Sequence, residues 1–328
     1  MVEPPIKRET PALPTPAGRL SWARVRRFLL DYSLILALLA LMAVAANLSD
    51  VFLTPRNQLN ILRQVSINGV LAIGMTFVII VGGIELSLGG VVALTSVVIA
   101  RLQNLPIPVT LLIAIAVGLL FGLVNGTITA RGKVQAFVVT LGASAVAEGL
   151  ALLVSDGRPI FVNNPFYQAI GNSYLWMIPM PVVILLVIAG ICHLLLSRTV
   201  LGTYLYAIGG NPEAARLSGI DTDTLTTLAF GIAGLLGALG GIIMVGRITT
   251  GDPSVGSGLA LDAIAAAVIG GAQLGGGVGA IPGTLGGALV IGELNNVFNI
   301  LSVSPYFQMV AKGTIIVGAV WLGVRRKR

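Results

Sequence analysis

Residues 82–90 read GGIELSLGG, and they break a run of apolar residues that is otherwise long enough to cross a bilayer. A backbone interrupted inside hydrocarbon leaves N–H and C=O groups unpaired, which is tolerated only where protein covers them or where they line a wet cavity. The stretch therefore belongs to the interior of a bundle or to a pathway through it. Residues 250–258, TGDPSVGSG, repeat its pattern: Glu85, Ser87 and Gly89 recur as Asp252, Ser254 and Gly256, 167 residues further on. Gly122, Asn125 and Phe137 recur as Gly292, Asn295 and Phe307 at an offset of 170, so the drift is three residues. Chance matching of Gly- and Ser-rich segments is the plain alternative to a chain built of two related halves.

The surrounding sequence fixes the solvent. Hydrophobic residues make up 55% of the 328 positions and charged residues 10%, far below the quarter that is usual in soluble domains. A span needs roughly 20 mainly apolar residues to cross about 30 Å of hydrocarbon. Ten such runs are expected, at 28–48, 66–82, 87–105, 107–130, 134–154, 180–197, 225–246, 261–275, 280–299 and 304–324. No segment alternates strictly as a membrane β-strand does, so the expected fold is an all-α membrane protein of ten transmembrane helices. Halves of about 28–154 and 180–324 then hold five crossings each. An odd number inverts the second half relative to the first, and inverted repeats with broken helices are how many transporters build a midplane pathway.

Basic residues orient the bundle. Lys7, Arg8, Arg19, Arg24, Arg26 and Arg27 precede the first span, and Arg325, Arg326, Lys327 and Arg328 follow the last. By the positive-inside rule both termini face the cytoplasm. Arg131, Lys133, Arg198 and Arg216 then also lie inside, with Arg56, Arg63, Arg101, Arg158 and Arg247 outside and Lys312 within a span. The net charge of +7 is explained by this bias, and nucleic acid is the poorer reading of it. Residues 1–27, rich in Pro and charge, read as a disordered basic tail, and 325–328 as a short basic C-terminal tail. AVAA at 43–46 resembles a signal-peptidase site, but 27 preceding residues are too many, so an uncleaved anchor is expected. A lone Cys192 beside a lone His193 allows no intrachain disulfide, and without further ligands it reads as membrane-edge chemistry rather than a metal site.

Polar groups recur within the spans: Asn68, Thr76, Asn125, Glu148, Asp262, Glu293, Asn295, Asn296 and Asn299. Neutral amides hydrogen-bond hydroxyls at a modest desolvation cost, which suits a polyol pathway, although hydrogen bonding between helices is their commoner use in membranes. The pathway candidates are Asn68, Glu85, Ser87, Asn125, Asp262, Asn295, Asn296 and Asn299. For Glu85 two readings stay open, lining the path or favouring the start of the third span through the helix dipole. Gly118, Gly122 and Gly126, and Gly237 and Gly241, are read as close-packing stripes.

The longest inside loop, 198–224, holds NPEAARLSGI. Asn211 reads as N-cap, Pro212 as first position, Glu213 as first-turn acid and Gly219 as the terminator of a two-turn helix. So short a helix is not stable alone, and it packs either beneath its own bundle or against a cytoplasmic partner. The chain has no GxxxxGK[ST] phosphate loop; ARGKV at 130–134 lacks the upstream Gly and the following hydroxyl residue.

GTYLYAIGGNPEAARLSGI, GGIELSLGG, RGKVQAFVVTLG and LDAIAAAVIGGAQLGGGVGAIPGTLGGALVIGELNN together resemble the ribose-type permeases, the membrane subunits of bacterial ABC importers for monosaccharides, over roughly residues 50–325. The resemblance implies a type II importer-like fold. It also implies alternating access and a coupling helix made by Gly210, Asn211, Glu213, Ala214, Ala215, Arg216, Leu217, Ser218 and Gly219. The implied partners are a cytoplasmic ABC ATPase that holds ATP-Mg, a periplasmic sugar-binding protein docking on loops 155–179 and 247–260, a second permease copy as a homodimer, and inner-membrane lipid. No catalysis and no cofactor fall to this chain. Val278, where such permeases often carry a basic residue, and the acids Glu148 and Glu293 depart from the pattern and leave the sugar open. A branched-chain amino-acid permease of the same superfamily, a proton-coupled transporter using Glu85, Asp252 or Asp262, and a non-transporting scaffold are the rivals.

Overall fold

The computed structural model describes residues 33–325; the N-terminal basic tail, the start of the first expected span and residues 326–328 of the C-terminal tail lie outside them. The chain forms a helical bundle: α1 Ser33–Leu48, α2 Pro55–Ile80, α3 Leu88–Arg101, α4 Ile107–Ala130, α5 Ala136–Ser155, α6 Pro165–Asn172, α7 Met180–Arg198, α8 Val200–Gly210, α9 Pro212–Leu217, α10 Thr222–Ile248, α11 Leu259–Ile269, α12 Ile281–Ile300 and α13 Pro305–Arg325. Four two-residue strands accompany them. β1 (Ile160–Phe161) pairs antiparallel with β4 (Thr250–Gly251), and β2 (Tyr174–Leu175) with β3 (Ile178–Pro179).

Among the described residues five helices, α2, α4, α5, α7 and α10, are long and apolar enough by length and composition to cross a membrane. α2 and α10 are the central pair, buried almost throughout, while α4, α5 and α7 leave most of their surface uncovered. That ordering suits a lipid solvent, in which apolar side chains need no burial and helices associate through close packing and hydrogen bonds. α2 begins at Pro55, eleven residues before the expected span; Thr54 caps it by accepting the Asn57 N–H, and Pro55 supplies the preset first position.

GGIELSLGG leaves the helical path as expected. α2 stops at Ile80, the chain turns through Gly82 at φ +83°, and α3 resumes at Leu88. Further along, α10 ends at Ile248, β4 and an irregular run to residue 258 follow, and α11 starts at Leu259. Gly89 and Gly256, equivalent under the offset, lie against each other: a methyl group built on either would run into the carbonyl oxygen of the other.

The helix pairs repeat the theme. α4 packs extensively on α10, with Gly118 and Gly122 against the backbone at Gly234 and Phe230, and Gly126 against Thr227. Their counterparts under the offset, α12 and α2, also pack together. Thr76 and Thr284 share a 2.7 Å hydroxyl hydrogen bond, and Gly292 meets Val65. Gly237 and Gly241 admit Val91 and Thr95 of α3. The glycine stripes are thus packing surfaces.

Loops sort to two ends. At one, Lys133 pairs with Asp223 at 2.8 Å, Tyr206 donates to the Gly279 carbonyl at 2.7 Å, and Gly277 donates to Ile80 at 2.8 Å. At the other, β1 pairs with β4, Gln103 bonds to Phe161 and Asn163, and Asn172 donates to Gly246.

Candidate functional site

Three polar assemblies use the residues picked out in the sequence. The first follows from the non-helical break after α2. Glu85 is 1% exposed. Its carboxylate accepts the Ser87 N–H at 2.9 Å, the Ser87 hydroxyl at 2.5 Å and the Asn125 amide of α4 at 3.0 Å. A buried carboxylate with these three donor groups on it is satisfied. Thr140 closes the site by donating to Ile84 at 3.1 Å. The twin at Asp252 copies only the local part: Asp252 accepts from the Ser254 N–H at 2.8 Å and its hydroxyl at 2.7 Å. The equivalent of Asn125, Asn295, does not join it.

Asn295 belongs to the second assembly, a cavity of about 140 Å³ between α2, α10, α11, α12 and α13. Asp262, near the start of α11, accepts from the Asn295 amide at 3.1 Å and is paired with Lys312 of α13 at 3.1 Å. Asn68, Asn299, Gln64, Gln308 and Arg247 complete the polar lining, with Ile67, Met244 and Leu259 as its apolar part. The Asn295 carbonyl oxygen is buried without a hydrogen-bond partner. A cavity of this size has room for about four or five waters at about 30 Å³ each, and its amides, carboxylate and cations present both donors and acceptors to a hydroxylated guest. Asn68, Asp262, Asn295 and Asn299 are therefore gathered, and Glu85, Ser87 and Asn125 form a separate cluster.

Asn296 turns away from both. It exchanges amide hydrogen bonds with Asn57 of α2 at 2.8 and 3.0 Å, joining the two helices. Residues 295 and 296 lie 100° apart around α12, so neighbouring amides serve different partners. Gln64, Arg247, Gln308 and Lys312 were not among the candidates. Lys312 alone carried a legible signal, a cation within an apolar span.

The third assembly is the surface segment around α9. Asn211 accepts from the Glu213 and Ala214 N–H groups at 3.1 and 3.0 Å, with Pro212 following. The helix ends at Ser218, where Gly219 adopts φ +83° and donates to Arg216, while Ile220 donates to Ala215 at 3.1 Å; these two bonds are the paired closure that a left-handed glycine permits. Ala215 alone of the segment is buried, and Leu217 is 82% exposed. Arg216 contacts Asp223 at 3.4 Å and Lys133 reaches the same carboxylate, so the turn after α4 and the α9 segment are held as one surface. Asp221 caps α10 by accepting the Thr224 N–H at 3.1 Å. Hydrogen bonding by Thr224, hydroxyl and then backbone, holds the Asp221 carboxyl below its ordinary range, with Arg131 contributing. α8, a helix the sequence did not announce, carries the chain to this surface, capped by Thr199 accepting from Gly202 at 3.3 Å. Among the described residues no three His, Cys, Asp or Glu side chains gather as a metal site requires.

The family described as "Branched-chain amino acid transport system / permease component" matches residues 57–320, and the chain belongs to it. Within that class the similarity is to sugar permeases. The chain is 40% identical to the ribose import permease protein of Haemophilus influenzae across 92% of itself and 97% of the relative. It is 42% identical to that of Bacillus subtilis across 88% and 90%, and 34% identical to the xylose transport system permease protein of H. influenzae across 90% and 96%. No solved structure matches it. The resemblance to ribose-type permeases read from the sequence holds over nearly the whole chain.

Proposed function

We propose that this chain is the membrane-spanning permease subunit of an ATP-driven importer in a bacterial inner membrane, passing a ribose-like monosaccharide from a periplasmic binding protein to the cytoplasm by alternating access. The observation that carries the reading is that a charge-poor helical bundle enclosing a polar cavity matches, almost end to end, relatives named for ribose import. Ten crossings in two inverted halves, about 28–154 and 180–324, are supported by the Gly89–Gly256 contact and by the paired packing of α4 on α10 and α12 on α2. Both termini then face the cytoplasm, together with the surface made by residues 131–135 and 198–224.

In this reading Asn68, Asp262, Asn295 and Asn299 line the path. Glu85, Ser87 and Asn125 seal the broken helix beside it, and Asn296 acts as a fastener between α12 and α2. The coupling surface is Gly210, Asn211, Glu213, Ala214, Ala215, Arg216, Leu217, Ser218 and Gly219, docked on a cytoplasmic ABC ATPase that holds ATP-Mg; exposed Leu217 on a capped helix gives such a partner an apolar contact. A second copy of the permease and the surrounding lipid complete the assembly, and a loaded binding protein docks at the opposite end. Affinity for the sugar within the permease is low, since a tight site would hold the sugar rather than pass it.

The family description favours a second substrate, a branched-chain amino acid. The cavity lining, with five amide side chains, one carboxylate and two cations against three apolar residues, fits a polyol better than an aliphatic side chain. Uptake of labelled ribose by cells with and without this chain, with xylose and leucine as competitors, tests the choice. Ribose uptake that needs the chain and yields to xylose supports the proposal. Uptake of leucine instead, or ribose uptake that survives loss of the ATPase, overturns it.

A further inference from the structure

The outer-end segment between α5 and α7 has no Asp, Glu, Lys or Arg from Pro159 to Ser197. Its β2–β3 hairpin nevertheless presents large apolar side chains to the surroundings: Trp176 is 94% exposed, Met177 77% and Leu175 57%. Trp176 adopts φ +61° in the two-residue turn of the hairpin. Hairpin turns of that kind favour Asn or Gly, and a bulky residue held in the left-handed region is strained. An aromatic residue is kept there against the local preference.

Depth accounts for it. α7 runs the 19 residues from Met180 to Arg198, about 28 Å at 1.5 Å per residue, which matches a hydrocarbon core of about 30 Å. With Arg198 at one boundary, Met180 lies at the other, and the hairpin immediately before it emerges among the headgroups. Its base is fastened there. Arg63 of α2 stands 4.9 Å from the centre of the Tyr174 ring and donates to its hydroxyl, and the Met180 N–H closes on the Ser173 carbonyl at 2.9 Å. α7, which follows the hairpin directly, also exposes apolar side chains: Leu186 and Val187 are more than half exposed.

We infer that the Tyr174–Pro179 hairpin is an interfacial anchor whose occupant is the outer-leaflet boundary between headgroups and acyl chains, with Trp176 as the inserted side chain. Tyr and Trp concentrate at this depth because one end of the ring is apolar and the other wet. The inference rests on the membrane reading above. It also narrows the face left for a water-soluble partner to the charged positions, the Asp156–Arg158 turn and the segment around Asp252.

The test uses the full chain in lipid nanodiscs, with Trp22 and Trp321 replaced by Phe so that Trp176 reports alone. The expected result is blue-shifted emission that loses most of its intensity in lipids brominated near the carbonyl end and little to aqueous iodide. Strong iodide quenching without lipid quenching overturns the inference, and iodide quenching relieved by the loaded binding protein overturns it in favour of protein docking. Should the Trp-depleted chain not fold, spin labels at Met177→Cys and Leu186→Cys in a Cys192→Ser background give the same reading through oxygen and nickel accessibility. Both labels in lipid support the anchor. Leu186 in lipid with Met177 in water sinks the anchor alone, whereas both in water sink the membrane reading.

Discussion

At Gly89 and Gly256 two backbones touch with no room for a side chain. Replacing either by Val forces the contact apart, and overpacking of this kind costs about 1–3 kcal/mol or more. The expected outcome is a lower unfolding temperature and lost uptake for both variants, with Gly142→Val, where an added Cβ meets nothing within 4 Å, as a neutral comparison. Asp262 and Lys312 give a second prediction at this scale. Lys312→Met leaves a carboxylate buried at 5% exposure without its cation. Breaking a buried pair costs about 3–5 kcal/mol, and the quarter of Lys312 that stays exposed puts the loss toward the lower figure. Asp262→Asn combined with Lys312→Met removes both charges and recovers stability, measured as the monodisperse fraction after heating in detergent. A double variant no better than the single one would refute the pairing.

Helix ends govern the next scale. α9 has six residues, too few to persist without its caps. Asn211→Ala removes an acceptor for two N–H groups and costs about 1 kcal/mol of that helix; uptake falls while the amount of folded permease in the membrane is unchanged. Replacing Glu213 or Arg216 with a bulky apolar residue uncouples transport from ATP hydrolysis, read as ATPase activity no longer stimulated by sugar and binding protein. Asp221 supplies a pH prediction. Its carboxyl is held below its ordinary range by Thr224, so the ionised cap stabilises the start of α10 above the unfolded pKa of about 3.9. That stability is lost as pH falls through the depressed folded value. In acid titrations Asp221→Asn shows a shallower decline of unfolding temperature below about pH 4 than the unaltered chain; equal slopes would deny Asp221 that role.

For the whole molecule, the proposed topology puts the two ends of the bundle in different compartments. Cysteines placed at Ser218 and Asp156, in a Cys192→Ser background, are expected to react with an impermeant maleimide from opposite sides of sealed vesicles. Labelling from the same side rejects the topology. If, as proposed, the energy for transport comes from nucleotide turnover on a partner, the chain purified and reconstituted alone moves no sugar against a gradient; uptake by the reconstituted chain alone would reject that proposal.

Membrane residence, the interrupted helices and the capped α9 helix were legible in the sequence because each depends on neighbours along the chain. Apolar length selects the solvent, a polar Gly-rich break ends a helix, and Asn-Pro-Glu followed by Gly closes one. The offset of 167 residues was legible too, and the two glycines it pairs, Gly89 and Gly256, touch. What each polar side chain meets was not legible. Asn125 joins Glu85, but Asn295 at the equivalent position joins Asp262 rather than Asp252, Asn296 one residue on joins Asn57, and Lys312 closes the ion pair. These choices follow from the rotation and height of α12 and α13 against α2 and α11. Glycine-to-backbone packing between distant segments sets that rotation, and no span of local sequence encodes it.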